Sequence, residues 1–298
     1  MSDSGAAAGS RDAFDRLLGE LRPKLHRYCA RMTGSAIDGE DVVQEALVKA
    51  IEAYARTAAI ADPEGWLFRI AHNAALDFLR RRARHVAAHA DEDLDMIVDP
   101  VSAADERQIA AAGLRVFMRL PVAQRSSIIL MDVLGYTVPE IGGMTDSSVP
   151  AVKAALHRGR ARLRELANEP DDRPLPGLAA PERARLAAYV DRFNARDFDA
   201  VRDMLAAEVR LELVNRVRLN GRKEVSTYFH NYSRIQDWRL VPGLVDRRPA
   251  ILVCDPDDGF GTPKYFVVLA WAGDAVASIR DFRHARYAME SAELLLLR

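Results

Sequence analysis

Apolar side chains recur every three or four positions through most of the first 168 residues, the spacing of helices that bury one face. Val43, Leu47, Ala50 and Tyr54 form one such stripe, and Asp38, three residues ahead of Asp41, predicts the cap of its helix. Asp62-Pro63 predicts the next helix start, because proline loses no hydrogen bond at an early helical position. That helix is expected over about 64–84, with Leu67, Ala71, Ala74 and Phe78 inside. Helical spacing resumes near Ser102 and stops at Leu120-Pro121. A helix over about 122–134 is closed by Gly135, and a short one follows at 138–143. The turn Thr145-Asp146-Ser147-Ser148 then precedes a long helix to about Ala167, whose core stripe is Val149, Val152, Leu156, Leu163 and Leu166. Helix, tight turn and second helix together predict a helix-turn-helix.

Residues 169–181 carry Pro170, Pro174, Pro176 and Pro181 and read as a linker. Beyond it the period changes. Helical segments near 182–195 and 198–206 are followed by strand-like segments near 209–213, 239–246, 250–254, 264–272 and 275–284. Ala272-Gly273-Asp274 reads as a hairpin turn between the last two. Helices first and antiparallel strands after them predict a separate α+β domain. The expected organisation is multidomain. An all-α module at 11–85 and an acidic linker at 86–101 precede a second all-α module at 102–168. The proline-rich linker at 169–181 leads to an α+β domain at 182–298.

A chain of 298 residues suits two or three domains, and 49% hydrophobic with 29% charged residues excludes long disorder and collagen-like repeats. Apolar runs stay well short of the roughly 18 residues that a membrane span needs. Met1 to Ser10 lacks the basic start and apolar centre of a secretory signal, so a cytoplasmic location and no membrane partner are expected. Cys29 and Cys254 lie far apart and support neither a disulfide framework nor a structural zinc site; no metal and no cofactor are expected.

The net charge of −1 argues at first against a nucleic-acid binder. The charges are unevenly placed, however. Residues 91–107 hold seven acids and one arginine, whereas residues 108–168 hold eight basic and four acidic side chains. Arg80, Arg81, Arg82 and Arg84 end one helix; Lys153, Arg158, Arg160, Arg162 and Arg164 lie on another with no acid among them.

Two polar faces follow from helical spacing. Asn73, Asp77, Arg80 and Arg84 stand at i, i+4, i+7 and i+11. Amides and carboxylates read base edges, and guanidinium groups take phosphates or guanine. The plainer alternative is a solvated face opposite the Leu67/Phe78 core. On the last helix Ser147, Pro150, Ala151, Ala154, His157 and Arg158 lie opposite the apolar stripe, with Lys153 flanking. Small residues at its start let it enter a major groove, and hydroxyls and backbone N–H groups there hold phosphates. The missing acids favour DNA over an amphipathic helix with a merely charged outer face.

The stretches DVVQEALVKA at 41–50 and DPEGWLFRIAHNAALDFLRR at 62–81 resemble region 2 of extracytoplasmic-function (ECF) sigma factors. LPVAQRSSIILMDVLGYTVPEIGGMTDSSVPAVKAALHRGRARLREL at 120–166 resembles region 4 of the same family, in the same order. The resemblance covers about residues 12–168 and implies a non-enzymatic specificity subunit of RNA polymerase. Its partners would be core polymerase and promoter DNA. Asp41, Gln44 and Glu45 would meet the β′ clamp helices. The loop around Arg56 to Asp62 and the helix with Asn73, Asp77, Arg80, Arg81 and Arg84 would capture a melted minus-ten element. Trp66 is a candidate for base stacking and equally for the core. Region 4 would read the minus-thirty-five element and touch the β flap through Arg125, Ser147, Ser148, Lys153, His157, Arg158 and Arg160.

Thr145 and Asp146 depart from the family pattern, which has an apolar residue and then glycine in the turn. Gly142 and Gly143 also weaken the short helix, and Asp146 near phosphate implies a weaker or altered minus-thirty-five contact. The linker at 86–101 would extend to about 50–55 Å, more than one DNA turn of roughly 34 Å. Its Asp91, Glu92, Asp93, Asp95 and Asp99 would mimic phosphates in polymerase channels, or serve as a plain soluble connection.

Residues 182–298 resemble the SnoaL-like cone fold on YVDRFNARDFDAVRDMLAAEVRLELV and IRDF at 279–282. Tyr189, Phe193, Tyr228, Tyr232, Trp238, Phe266 and Trp271 are candidates for a pocket lining and equally for core fillers. Asp281 and His284 would make an acid/base pair, but residues three apart on a strand face opposite sides. In sigma factors with such an extension the added domain is expected to regulate in cis, with a separate anti-sigma factor or a small ligand as further candidate partners. The rival readings are a helix-turn-helix regulator with a ligand-binding domain and an isomerase-like enzyme with a DNA-binding part. Neither needs the block from Asp41 to Arg81.

Overall fold

The computed structural model describes residues 3–57, 60–88, 114, 116–167, 177–235, 237–258 and 262–297, the side chains of 3–10, 86, 88 and 167 excepted. The acidic linker beyond Ala88, the expected helix over 102–113 and the proline-rich segment 168–176 lie outside the described residues. The chain divides into two compact units, Met1–Arg173 and Pro174–Arg298.

The first unit begins with α1 (Asp3–Thr33), α2 (Ala36–Tyr54) and α3 (Pro63–Ala88). Their apolar stripes meet in one core that contains Leu25, Tyr28 and Met32 of α1, Val43 and Ala50 of α2, and Leu67, Phe68 and Ala71 of α3. Backbones touch where α1 meets α2: a Cβ on Gly39 would lie 2.5 Å from the Ala30 nitrogen. The cap of α2 is Ser35 and not Asp38. Ser35 is extended at φ −152°, and its hydroxyl accepts the Asp38 N–H at 3.2 Å. Asp38 lies inside the helix, buried, with its carboxylate 3.5 Å from Arg82. The start of α3 is as expected, since Asp62 Oδ1 accepts the Gly65 N–H at 3.0 Å.

A second helical module in the same unit comprises α4 (Val122–Ile128, continuing through a π turn at Ile129–Val133), α5 (Val138–Thr145) and α6 (Val149–Ala167). Gly135 at φ +80° ends the first helix, and Thr137 with Glu140 forms a reciprocal capping box on α5. Asp146 takes a left-handed conformation, φ 53°, in the turn before α6. The buried stripe of α6 runs through Val152, Ala155, Leu156 and Leu166. Val149, expected to open that stripe, is 40% exposed, and its neighbours from Ser147 to Ala151 at the start of α6 are exposed as well.

In the second unit α7 (Ala180–Asn194) and α8 (Phe198–Asp203) precede β1 (Leu205–Leu213), β2 (Val217–Asn220) and α9 (Gly221–Ser233). Strands β3 (Arg239–Val245), β4 (Arg248–Cys254), β5 (Tyr265–Ala272), β6 (Ala275–Asp281) and β7 (Leu294–Leu296) follow. The sheet order is β2-β1-β6-β5-β4-β3-β7. All neighbours are antiparallel except β1 and β6, which pair in parallel with Leu211 opposite Ile279. The α+β class and the β5–β6 hairpin with Gly273 at φ +60° are as expected; β2, α9 and β7 are additional elements. Tyr189, Phe193 and Phe229 from the helices pack on Leu211, Ile251, Val253, Val267 and Ile279 from the sheet.

Candidate nucleic-acid interface

On α3 the residues Asn73, Arg80 and Arg84 are exposed, and Asp77 is half-buried between neighbouring cations. Arg80 donates to Asp77 at 3.1 Å, and Lys49 of α2 lies 3.7 Å from the same carboxylate. Arg81 leaves this face. Its guanidinium reaches α2 and donates to Glu45 at 2.7 Å, while Lys49 pairs with Glu45 from the other side, also at 2.7 Å. The Arg81 hydrogen bond, aided by Lys49, holds the Glu45 carboxyl below the usual range. Arg81 and Glu45, read from the sequence as meeting different partners, are thus joined to each other.

Asp41 is exposed on the outer side of α2, whereas Gln44 is half-buried and donates to Glu40 at 3.1 Å. Two residues that sequence reasoning missed share this surface. Val48 is 55% and Ile51 42% exposed, unusual for large aliphatic side chains. The available signal was that both are apolar yet stand beside the Val43/Leu47/Ala50 stripe rather than on it. Trp66 is half-buried, its ring 6.3 Å from Phe14.

On α6 and its preceding turn Ser147, Ser148, Lys153, His157 and Arg158 are all exposed, a mixed row of hydroxyls and cations beside the small Ala151. Arg160 is exposed too, but both Asp132 carboxylate oxygens of the π turn hold it, one of them 2.9 Å from Nε. Asp146 in the turn lies 3.4 Å from Arg69 of α3, which offsets part of its negative charge.

Arg125 is not part of this surface. It is 5% exposed and donates to Met32 O of α1 at 2.6 Å and to Met118 O and Leu120 O at 3.0 Å each. Burial pushes its pKa down to about 10. The reason is the placement of α4. The side chain points at the C-terminal turn of α1, whose last carbonyls lack helical partners and attract a cation.

In the second unit Tyr189, Phe193, Tyr228, Tyr232 and Trp238 are buried and Trp271 is half-buried. Phe193 is the hub, with ring centroids of Tyr232 and Trp238 each 5.2 Å away. Phe266 faces away from this group and stacks on Phe282 at 4.2 Å. Asp281 is wholly buried and accepts the hydroxyls of Tyr228 and Tyr232, each at 2.9 Å, and the Arg283 N–H at 2.8 Å. Burial pushes its carboxyl pKa up despite these donors. His284 is exposed, and the side chains that hold Asp281 are the two tyrosines, in keeping with a strand spacing that sets residues three apart on opposite sides. Among the described residues no group of three or more His, Cys, Asp or Glu is placed to hold a metal ion, and no helix is long and apolar enough to cross a membrane.

Comparison with known proteins gives these surfaces a context. The family described as Sigma-70 region 2 matches residues 17–85, and Sigma-70, region 4, matches residues 114–163. The ECF RNA polymerase sigma factor SigM of Mycobacterium tuberculosis is 34% identical over 159 residues, covering 53% of this chain and 79% of that protein. The chain belongs to the ECF RNA polymerase sigma factors. It is a transcription factor with region 2 in α1–α3 and region 4 in α4–α6, and it directs RNA polymerase in transcription initiation. SigG of the same organism is 27% identical over 294 residues, covering 88% of this chain and 78% of its own, so that alignment extends into the second unit. Among solved structures, the M. tuberculosis sigma factor SigJ covers 90% of this chain and 95% of its own, at 18% identity and a TM-score of 0.36.

Proposed function

We propose that this sigma factor uses three separate surfaces in one task. The outer side of α2, with Asp41, Gln44 and Glu45 beside the exposed Val48 and Ile51, docks on the β′ clamp helices of core polymerase. The α3 face of Asn73, Asp77, Arg80 and Arg84 takes the minus-ten element, with Arg81 held by Glu45 until the complex forms. The α6 face of Ser147, Ser148, Lys153, His157 and Arg158 reads the minus-thirty-five element, with region 4 also meeting the β flap. The functional boundaries are 11–85, 102–168 and 182–298, joined by the linkers at 86–101 and 169–181. The protein acts in the cytoplasm without catalytic activity, cofactor or metal.

The observation that carries this reading is the exposure of the two polar rows on α3 and α6, each backed by an apolar stripe in a shared core. Reconstitution with core polymerase tests it. Promoter-directed RNA synthesis from a melted start site is expected; binding to duplex DNA that needs no core would favour an ordinary helix-turn-helix regulator. We further propose that the SnoaL-like C-terminal domain regulates initiation in cis. A chain ending at Arg173, the end of the first compact unit, should initiate at a different level from the full chain. Equal transcription by the two would reject that role. A separate anti-sigma factor and a small ligand of the C-terminal domain are further candidate partners.

A further inference from the structure

A cleft of about 550 Å³ opens between α3 and the helices α4 and α6, within the range of small-molecule sites, roughly 300–1,000 Å³. The surfaces assigned above do not use its interior. Arg80 and Ser147 are exposed at its mouth, and His72 is buried at its floor, 6% exposed. The walls between them are apolar: Leu76 and Leu79 come from α3, Val122 and Val152 from α4 and α6.

The polar groups of the lining are unequally occupied. Ser126 and Ser127 both donate to Ala123 O, at 3.3 and 2.8 Å. Thr145 donates to Ile141 O at 2.7 Å, and Ser147 to Thr145 O at 3.3 Å. The backbone thus takes all four hydroxyl protons. His72 differs. The Tyr28 hydroxyl meets its Nδ1 at 2.6 Å and has no other acceptor among the described residues, so the tyrosine donates and Nδ1 accepts. Burial keeps the imidazole neutral, with a pKa of about 4, which leaves its one proton on Nε2. Among the described residues that Nε2–H has no acceptor, and the cleft is the space from which one can approach.

Arg80 is the second donor. One of its nitrogens, Nη1, holds Asp77 at 3.1 Å; the side chain is 69% exposed, and its other N–H groups have no acceptor among the described residues. The cleft therefore offers a neutral donor deep inside, a cation at the rim and apolar surface between. A carboxylate is disfavoured at the floor, where no cation meets it, and favoured at Arg80. We propose that this cleft binds a small apolar carboxylic acid, its charged end on Arg80, its apolar body between α3 and α6, and a neutral oxygen within that body accepting the His72 Nε2–H. The site is separate from the aromatic hub of the second unit, and it goes beyond the promoter assignment, on which it does not rest.

Dansylglycine carries this chemistry: a naphthalene ring, sulfonyl oxygens and a carboxylate. Dansylamide lacks the carboxylate arm. With the full-length chain, dansylglycine emission should brighten, shift to the blue and saturate at one probe per chain, and dansylamide should bind more weakly. Arg80→Gln should weaken dansylglycine several-fold and leave dansylamide unchanged. Tyr28→Phe with His72→Phe keeps both rings and leaves no orphan hydroxyl; it should weaken both probes about five-fold, the worth of one hydrogen bond. Ala151→Phe, at an exposed position lining the cleft, should abolish binding of both with the melting temperature unchanged. No saturable binding by the wild-type chain would overturn the proposal, and so would undiminished binding by Ala151→Phe. Full dansylglycine affinity in both the Arg80 and the His72 variants would overturn the roles of the two donors. These readings need neither DNA nor polymerase, so a chain that failed to initiate at any promoter would count against the promoter assignment and leave the site standing.

Discussion

The Arg22 guanidinium of α1 and the Glu40 carboxylate of α2 form an ion pair in the interior of region 2, with side-chain exposures of 8% and 0%. Taking either charge out of water is costly, and the partner repays part of that cost. Glu40→Ala should therefore destabilise the fold by roughly 3–5 kcal/mol, because it removes the carboxylate paired with a buried guanidinium and the acceptor of the Gln44 amide as well. Replacing both members, Arg22→Met with Glu40→Leu, should recover most of that loss. Urea denaturation of the single and double variants measures both effects.

Two glycines predict opposite outcomes for one substitution. At Gly39 a Cβ would meet the Ala30 backbone, which cannot move without parting α1 from α2. Gly39→Ala should cost several kcal/mol, far more than the ~1 kcal/mol gain in helix propensity. Gly143 in α5 has nothing within 4 Å of such a Cβ and is exposed. Gly143→Ala should stabilise by about 0.5–1 kcal/mol. Thermal melting of the two variants should move in opposite directions.

The contrast shows what the sequence makes legible. Local periodicity is visible along the chain, so the stripe of Val43, Leu47 and Ala50, the start at Asp62-Pro63 and the hairpin at Gly273 were readable. Tertiary placement is not. Arg125 stands in a basic segment with nothing nearby to mark it as buried; only the approach of α4 to the end of α1 decides that. Arg81 likewise carries the signature of a DNA-facing arginine, and its pairing with Glu45 depends on the α2–α3 crossing. Asp281 drew attention as a carboxylate, but its tyrosine partners come from α9, more than 45 residues earlier, and the parallel β1–β6 pairing that positions it leaves no local trace. Helix α9 itself opens on Gly221 and is rich in polar and aromatic side chains, which hid it from a search for apolar spacing.

His72 gives region 2 a pH dependence with a definite sign. The Tyr28 hydroxyl meets its Nδ1 at 2.6 Å, and burial lowers its pKa from 6.5 to about 4. The fold therefore keeps the imidazole neutral while the unfolded chain protonates it. The stability this confers is complete above pH 6.5 and is lost as pH falls toward 4. Over that interval the loss should reach roughly 3 kcal/mol. Tyr28→Phe with His72→Leu removes the titrating ring without leaving an orphan hydroxyl. Denaturant midpoints at pH 7 and pH 5 should differ clearly less in that variant than in the wild type; an equal difference would place the acid sensitivity elsewhere.

Arg158 and Arg125 stand 33 positions apart in region 4, one exposed and the other buried. Arg158 is exposed on α6, so Arg158→Ala should leave the melting temperature unchanged. If it grips a phosphate, the variant holoenzyme should bind all promoters more weakly, and the slope of log affinity against log salt should fall by about one. Arg125→Ala should do the reverse. It leaves the carbonyls of Met32, Met118 and Leu120 without their donor and empties a buried volume, at roughly 2 kcal/mol or more. Its salt slope should match the wild type wherever the protein is still folded. A salt slope reduced by Arg125→Ala as much as by Arg158→Ala would mean that Arg125 leaves its carbonyls and reaches DNA in the transcribing complex.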